Sequence, residues 1–135
     1  MLRKTLEAFT LLESLISLLI ISFLVITLSG SVQGIFQDVE EKLFFLSFEN
    51  LYCDSQQLAV AQKSDLQLTL TSQEISNGIT KLSLPQSVSL LEEKTIVFDV
   101  KGGNHSLTKI NFATADKTIT YQLYLGSGKY QKSIR

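Results

Sequence analysis

Hydrophobic positions fall along this chain in three rhythms. From Phe9 to Leu28, 20 residues run apolar, interrupted only by hydroxyls and one carboxylate, Glu13. At about 1.5 Å per residue such a helix spans roughly 30 Å, the depth of a bilayer's hydrocarbon. Ser17, Ser22 and Thr27 are compatible with that span because hydroxyls can bond back to helix carbonyls. Gly30 and Gly34 are the helix-weakening residues that follow. From Gly34 to about Gln62 the apolar residues recur at helical spacing with no proline between them. Two rows emerge. One is Val39, Leu43, Leu46, Cys53 and Val60; the other is Phe44, Phe48, Leu51 and Leu58. A narrower polar stripe holds Asp38, Lys42, Glu49 and Lys63. A helix on a small domain needs one apolar stripe, so two imply two partners: the domain's own sheet and something else. The first row, with Cys53 as a small hydrophobe, is expected against the sheet, the alternative for Cys53 being an intersubunit disulfide outside the cell. The second is expected either under a domain that wraps further or at a subunit interface.

After Lys63 the rhythm shortens to alternation rich in Thr, Ile, Val and Tyr. Strands are expected at Leu66–Thr71, Ile79–Leu84, Thr95–Val100, Leu107–Thr114 and Thr118–Leu125. Turns are expected at Lys101-Gly102-Gly103-Asn104 and Ala115-Asp116-Lys117. A long helix followed by an antiparallel sheet is an α+β architecture. The expected organisation is a leader at 1–8, a membrane-spanning half-helix at 9–30, a soluble amphipathic half-helix at 31–63 and a β-rich domain outside the cell at 64–135.

Charge changes this picture in two places. The total is close to neutral, 12 basic against 13 acidic residues, so composition alone does not indicate nucleic acid. Arg3 and Lys4 precede the apolar run, which places the N-terminus in the cytoplasm and the remainder outside. An ordinary secretory signal would instead be cut after the run, near Ser29-Gly30-Ser31. That alternative leaves Glu13 unexplained, since a carboxylate within a membrane span costs about 2.5–3.5 kcal/mol and marks a functional position.

The residues Ala8-Phe9-Thr10-Leu11-Leu12-Glu13 resemble the processing junction of type IV pilins and pseudopilins: a small residue, then Phe-Thr-Leu-Leu/Ile-Glu, then an apolar helix. The family more often has Gly where Ala8 stands. The resemblance implies cleavage between Ala8 and Phe9 by the prepilin peptidase and methylation of the new Phe9 amine. It also implies that the helix is retained as the packed core of a filament. A cationic amine at Phe9 would lie one helical turn from Glu13. Pairing with its own or a neighbour's amine would offset the burial of both charges; the family precedent favours the neighbour, which would set axial register. The ending Thr118–Lys129 resembles the tail of minor pilins in the H-like group, and within that group the whole chain is most similar to the D-type minor pilins of Gram-positive competence pili. The resemblance implies a structural role in DNA uptake during transformation, with other major and minor pilins, the prepilin peptidase and the membrane as partners. Its mature form would be at the cell surface. The rival readings are a type II secretion pseudopilin and a signal-anchored surface binding protein.

No enzyme motif, metal site or cofactor is expected. The single Cys53 allows no internal disulfide, the single His105 reads as an exposed turn residue, and Glu92-Glu93 reads as a solvated loop. One constellation suggests a ligand. From Lys101 onward there are six Lys or Arg and one acid, interleaved with Tyr121, Tyr124 and Tyr130. Cations neutralise phosphates and rings stack on single-stranded bases. Lys129, Lys132 and Arg135 are therefore candidate DNA contacts, against the alternative of an ordinary solvated sheet face.

Overall fold

The structure is a computed structural model that describes residues 2–135, with side chains from Phe9 onward. Helix α1 runs from Leu2 to Gln62. Eight strands follow: β1 Leu66–Leu70, β2 Glu74–Ser76, β3 Lys81–Ser83, β4 Ser89–Leu90, β5 Lys94–Phe98, β6 Lys109–Ala113, β7 Thr118–Leu123 and β8 Tyr130–Ile134. They form two antiparallel sheets, β3-β2-β1-β5 and β4-β6-β7-β8. This is the α+β layout that the hydrophobic pattern predicts. The chain divides into two compact units between Asp38 and Val39.

In the first unit, the described apolar side chains from Phe9 to Phe36 are all exposed. The hydroxyls turn inward to the helix, with Ser14 Oγ donating to the Thr10 carbonyl at 2.9 Å and Thr27 Oγ1 to that of Phe23 at 3.0 Å. Counted from Phe9, this helix is long and apolar enough to cross a membrane.

In the second unit, α1 lays an aromatic face on the sheets. Phe44, Phe45, Phe48 and Tyr52 are buried with Phe112 and Tyr121 of the second sheet and Phe98 of the first. The rings meet edge to face: Phe48 lies 5.2 Å from Phe112 and 5.0 Å from Tyr121, and Tyr52 lies 5.0 Å from Phe98. Alternation supplies the other side of the core, with Leu66, Leu68 and Leu70 of β1 and Ile119, Tyr121 and Leu123 of β7 pointing inward. The helix ends at Lys63, which adopts a left-handed conformation (φ 51°) so that the Ser64 N–H reaches the Ala59 carbonyl at 3.3 Å.

The two helix rows exchange the roles expected of them. The row containing Phe44, Phe48 and Leu51 is the core-facing one, with Leu58 packed beside it. The row of Val39, Leu43, Leu46 and Val60 is exposed, and so is Cys53. The reason is volume. The space between one helix and two sheets is filled by rings, and Phe45 and Tyr52, which fall in neither row, complete the inward face. Three strands also escape the sequence pattern. β2 and β4 are three and two residues long, and β8 is a polar edge strand whose Gln131, Lys132 and Ser133 carry no hydrophobic alternation.

Candidate functional site

The first candidate site lies at the start of the apolar helix. Phe9 and Glu13 are both exposed on α1, four residues apart, and therefore neighbours on one helix face. The side chain of Ala8, with those of Arg3 and Lys4, lies outside the described residues.

The second unit holds α1 through polar clamps as well as rings. Glu49 is the centre of one. Its Oε1 accepts the Tyr121 hydroxyl at 2.9 Å and pairs with Lys132 Nζ at 2.9 Å. The Lys132 ammonium also sits 5.7 Å from the ring centres of both Phe45 and Tyr121. Burial pushes the Tyr121 phenol far above its ordinary pKa, and the bond to Glu49 raises it further. A second ion pair joins buried Glu41 to Lys117 at 3.8 Å. At the far end of α1, Gln56 Nε2 donates to the carbonyls of Gly102, at 3.0 Å, and Gly128, at 2.5 Å. The Tyr52 hydroxyl donates to the same Gly128 carbonyl at 3.2 Å. Gly102 and Gly128 both have positive φ, and a Cβ on Gly128 would collide with the Gln56 amide and the Gly102 carbonyl. Two glycine turns thus close onto one glutamine because neither carries a side chain there.

These clamps separate the basic and aromatic residues that the sequence brings together. Lys129 and Arg135 are exposed. Lys132 is held by Glu49, Tyr121 is in the core, and half-buried Tyr130 packs 5.2 Å from Tyr52. Only Tyr124 of the three tyrosines is exposed, its hydroxyl donating to Gln131 Oε1 at 2.7 Å. The remaining polar candidates have local partners. Glu92 pairs with Lys94 at 3.0 Å, and Glu93 accepts the Ser72 N–H at 3.0 Å. Asp99 accepts the N–H groups of Lys101 and Gly103, which hold its carboxyl below the usual range and shape the Lys101–Asn104 turn. His105 is exposed beside that turn. Among the described residues, no three His, Cys, Asp or Glu side chains gather as metal ligands.

Sequence reasoning missed Glu41, Glu49 and Gln56 as the groups by which α1 grips the sheets. Their polar side chains sit beside the aromatic row, and a polar residue one position from an apolar stripe is the available signal.

Compared with known proteins, the chain is 45% identical to the competence protein ComGD of Streptococcus pneumoniae over 130 residues, covering 96% of this chain and 81% of the relative. The chain belongs to the ComGD family. It is thereby a D-type minor pilin of the competence pilus. No family model and no solved structure matches it. ComGD membership agrees with the apolar first unit followed by a small β-domain, and the two together are consistent with a structural protein that is membrane-anchored and pilus-associated. As a pilin it assembles with other pilus components. The polar clamps around Glu49 and Gln56 are accordingly read as the internal fastening of a building block.

Proposed function

We propose that this ComGD-family pilin serves DNA uptake in natural transformation as an assembly component of the pilus. The observation that carries the reading is the pairing of a membrane-length apolar helix with one acid, Glu13, four residues after Phe9, in a chain 45% identical to ComGD. The prepilin peptidase cuts between Ala8 and Phe9 on the cytoplasmic face, and the new Phe9 amine is methylated. The chain is then oriented with its N-terminus inward and Val39–Arg135 outside. In the filament, Glu13 pairs with the Phe9 amine of a neighbouring subunit. That pairing offsets the cost of burying either charge alone, so correct axial register is the low-energy one. The leader at 1–8 is lost, residues 9–30 are the membrane half of the helix, 31–63 its soluble half, and 64–135 the domain displayed at the surface.

The test joins two measurements. Intact mass of the chain recovered from membranes is expected to begin at methylated Phe9. Deletion of the gene is expected to abolish transformation while protein secretion continues. An intact Met1 end would favour a signal-anchored binding protein; loss of secretion with normal transformation would favour a secretion pseudopilin.

A further inference from the structure

Strand β8 closes the second sheet and leaves one edge of it open. Thr118 and Arg135 exchange both backbone bonds, at 2.8 and 2.9 Å, and Tyr124 N–H reaches the Lys129 carbonyl at 3.0 Å. Antiparallel bonding alternates along a strand, so Gln131 and Ser133 also face β7. Tyr130, Lys132 and Ile134 therefore turn their N–H and C=O groups away from the sheet, where no strand lies beyond them. Proteins blunt such edges with charged side chains, above all lysine. The lysine of this edge is drawn inward instead, its ammonium held by Glu49 at 2.9 Å. Its neighbour on the same face, Ile134, is apolar and 61% exposed.

A cavity opens beside this edge, between β8 and α1. It measures about 400 Å³. Phe45, Ile119 and Ile134 give it an apolar floor, and Lys42, Lys117 and Lys132 stand around it with Glu49 as the one carboxylate of the lining. Glu49 engages Lys132 closely, whereas Lys117 lies 3.8 Å from Glu41. Lys42 makes no ion pair among the described residues and is exposed. The cavity thus has room for an apolar side chain and a cation free for an anionic one.

The chemistry of edge and cavity together selects the occupant. A row of alternating donors and acceptors is matched by another polypeptide backbone, while a phosphate chain or a lipid tail supplies no donors for the carbonyls. Pockets beside an open edge then read alternate side chains of the added strand. A second copy fits poorly. An antiparallel pair of β8 strands that engages all three open residues on both sides sets Lys132 directly against Lys132, and like charges opposite one another are destabilising. We propose that the open edge of β8 and the cavity beside it form a strand-addition site for an extended acidic segment of a different protein. One apolar side chain of that segment enters the cavity, and carboxylates two residues to either side of it, on the same face, meet Lys42 and Lys117. The site does not depend on the pilin reading.

The probe is the end-capped peptide Thr-Glu-Thr-Ile-Thr-Glu-Thr, titrated into the full chain in detergent micelles while backbone amide exchange is followed by nuclear magnetic resonance. The amides of Tyr130, Lys132 and Ile134 are expected to slow at least tenfold, with Gln131 and Ser133 unchanged because they are already bonded to β7. Lys42→Gln, far from β8 in sequence, is expected to weaken binding several-fold at an unchanged thermal midpoint. Ile134→Pro removes one open donor near the chain end and is expected to weaken it further. A peptide with Lys in place of both Glu residues is expected to bind wild type more weakly and Lys42→Glu more tightly. No slowing at the three amides, equal binding of the two peptides, or indifference to Lys42 would overturn the proposal. So would slowing that follows protein concentration without peptide, which would make a second copy the occupant, or slowing by detergent alone, which would make it a lipid site.

Discussion

Truncating Phe48 and truncating Leu46, two residues apart on α1, should have opposite consequences. Phe48 is 1% exposed and touches Phe112 and Tyr121 edge to face. Phe48→Ala removes its burial and leaves a cavity between the helix and the second sheet, a loss of about 3–5 kcal/mol. Against a total stability of roughly 5–15 kcal/mol, that leaves the folded unit marginal. Each kcal/mol moves the midpoint of a domain this size by about 4–8 °C, so a fall of at least ~12 °C is expected. Leu46 is 55% exposed, and Leu46→Ala gives up less than about 1 kcal/mol because most of its surface is already in water. The assay is thermal unfolding of the full chain in detergent micelles, followed by the near-ultraviolet signal of the packed tyrosines, with transformation frequency measured in parallel. Phe48→Ala should lose both stability and transformation. Leu46→Ala should keep its midpoint. Equal destabilisation by the two would refute the assignment of the aromatic row to the core and of the aliphatic row to the outside.

Alkaline stability gives a second test. Burial raises the phenol pKa values of Tyr121, Tyr52 and Tyr130 in the folded chain above the ordinary value near 10. The folded state therefore holds protons that the unfolded state releases, so stability is full below about pH 10 and falls as pH rises beyond it. Denaturant midpoints should drop above that pH, and Tyr121→Phe should flatten the decline; an unchanged slope would place the titration elsewhere. Gly128→Ala strains a φ of +65° and drives a methyl into the Gln56 amide, so a loss of at least ~1–3 kcal/mol is expected by denaturant titration, whereas Gly34→Ala, with open space around it, should be neutral or stabilising. Glu13→Val should insert into membranes as well as or better than wild type yet fail to enter pili, and normal transformation by this variant would remove Glu13 from the assembly mechanism. If the β-end binds DNA, Lys129→Gln with Arg135→Gln should weaken binding and shallow its salt slope by about two charges, with Lys132→Gln adding a loss of stability through Glu49. Unchanged affinity and slope would remove direct DNA contact.

What the sequence makes legible depends on how much of each signal is local. The apolar run from Phe9 and the alternating strands β1, β5, β6 and β7 are periodic over five residues or more, and the fold class follows from their order. β8 is invisible because an edge strand pairs through its backbone, and its register with β7, Tyr121 opposite Lys132, is a long-range fact. The same distance hides the fate of Lys132. In sequence it is one of a run of cations, whereas in space it is the counter-ion of Glu49, 83 residues away. Cys53 illustrates the converse. Its small, apolar character favours burial in general, but the inward angle of α1 at that height is already occupied by Tyr52, whose ring lies against Phe98 and Tyr130.

The division of α1 into two faces also explains why the inward fastening is so heavily polar at its margins. A helix that must present a second apolar stripe cannot bury its whole circumference, so the sheets grip it on one side only. Rings provide the adhesion, but an aromatic face alone tolerates rotation of the helix about its axis, since one ring can replace another. Glu49 bound to Tyr121 and Lys132, and Gln56 bound to two glycine carbonyls, have partners in one orientation only. Rotation by one residue, about 100°, would leave the Gln56 amide and two backbone carbonyls without partners, at roughly 1–3 kcal/mol for each group that stayed buried. These clamps therefore fix which residues face outward. Asn50, Cys53 and Asp54 are exposed and lie between the two clamps in sequence, so their outward orientation is held at both ends by contacts inside the subunit.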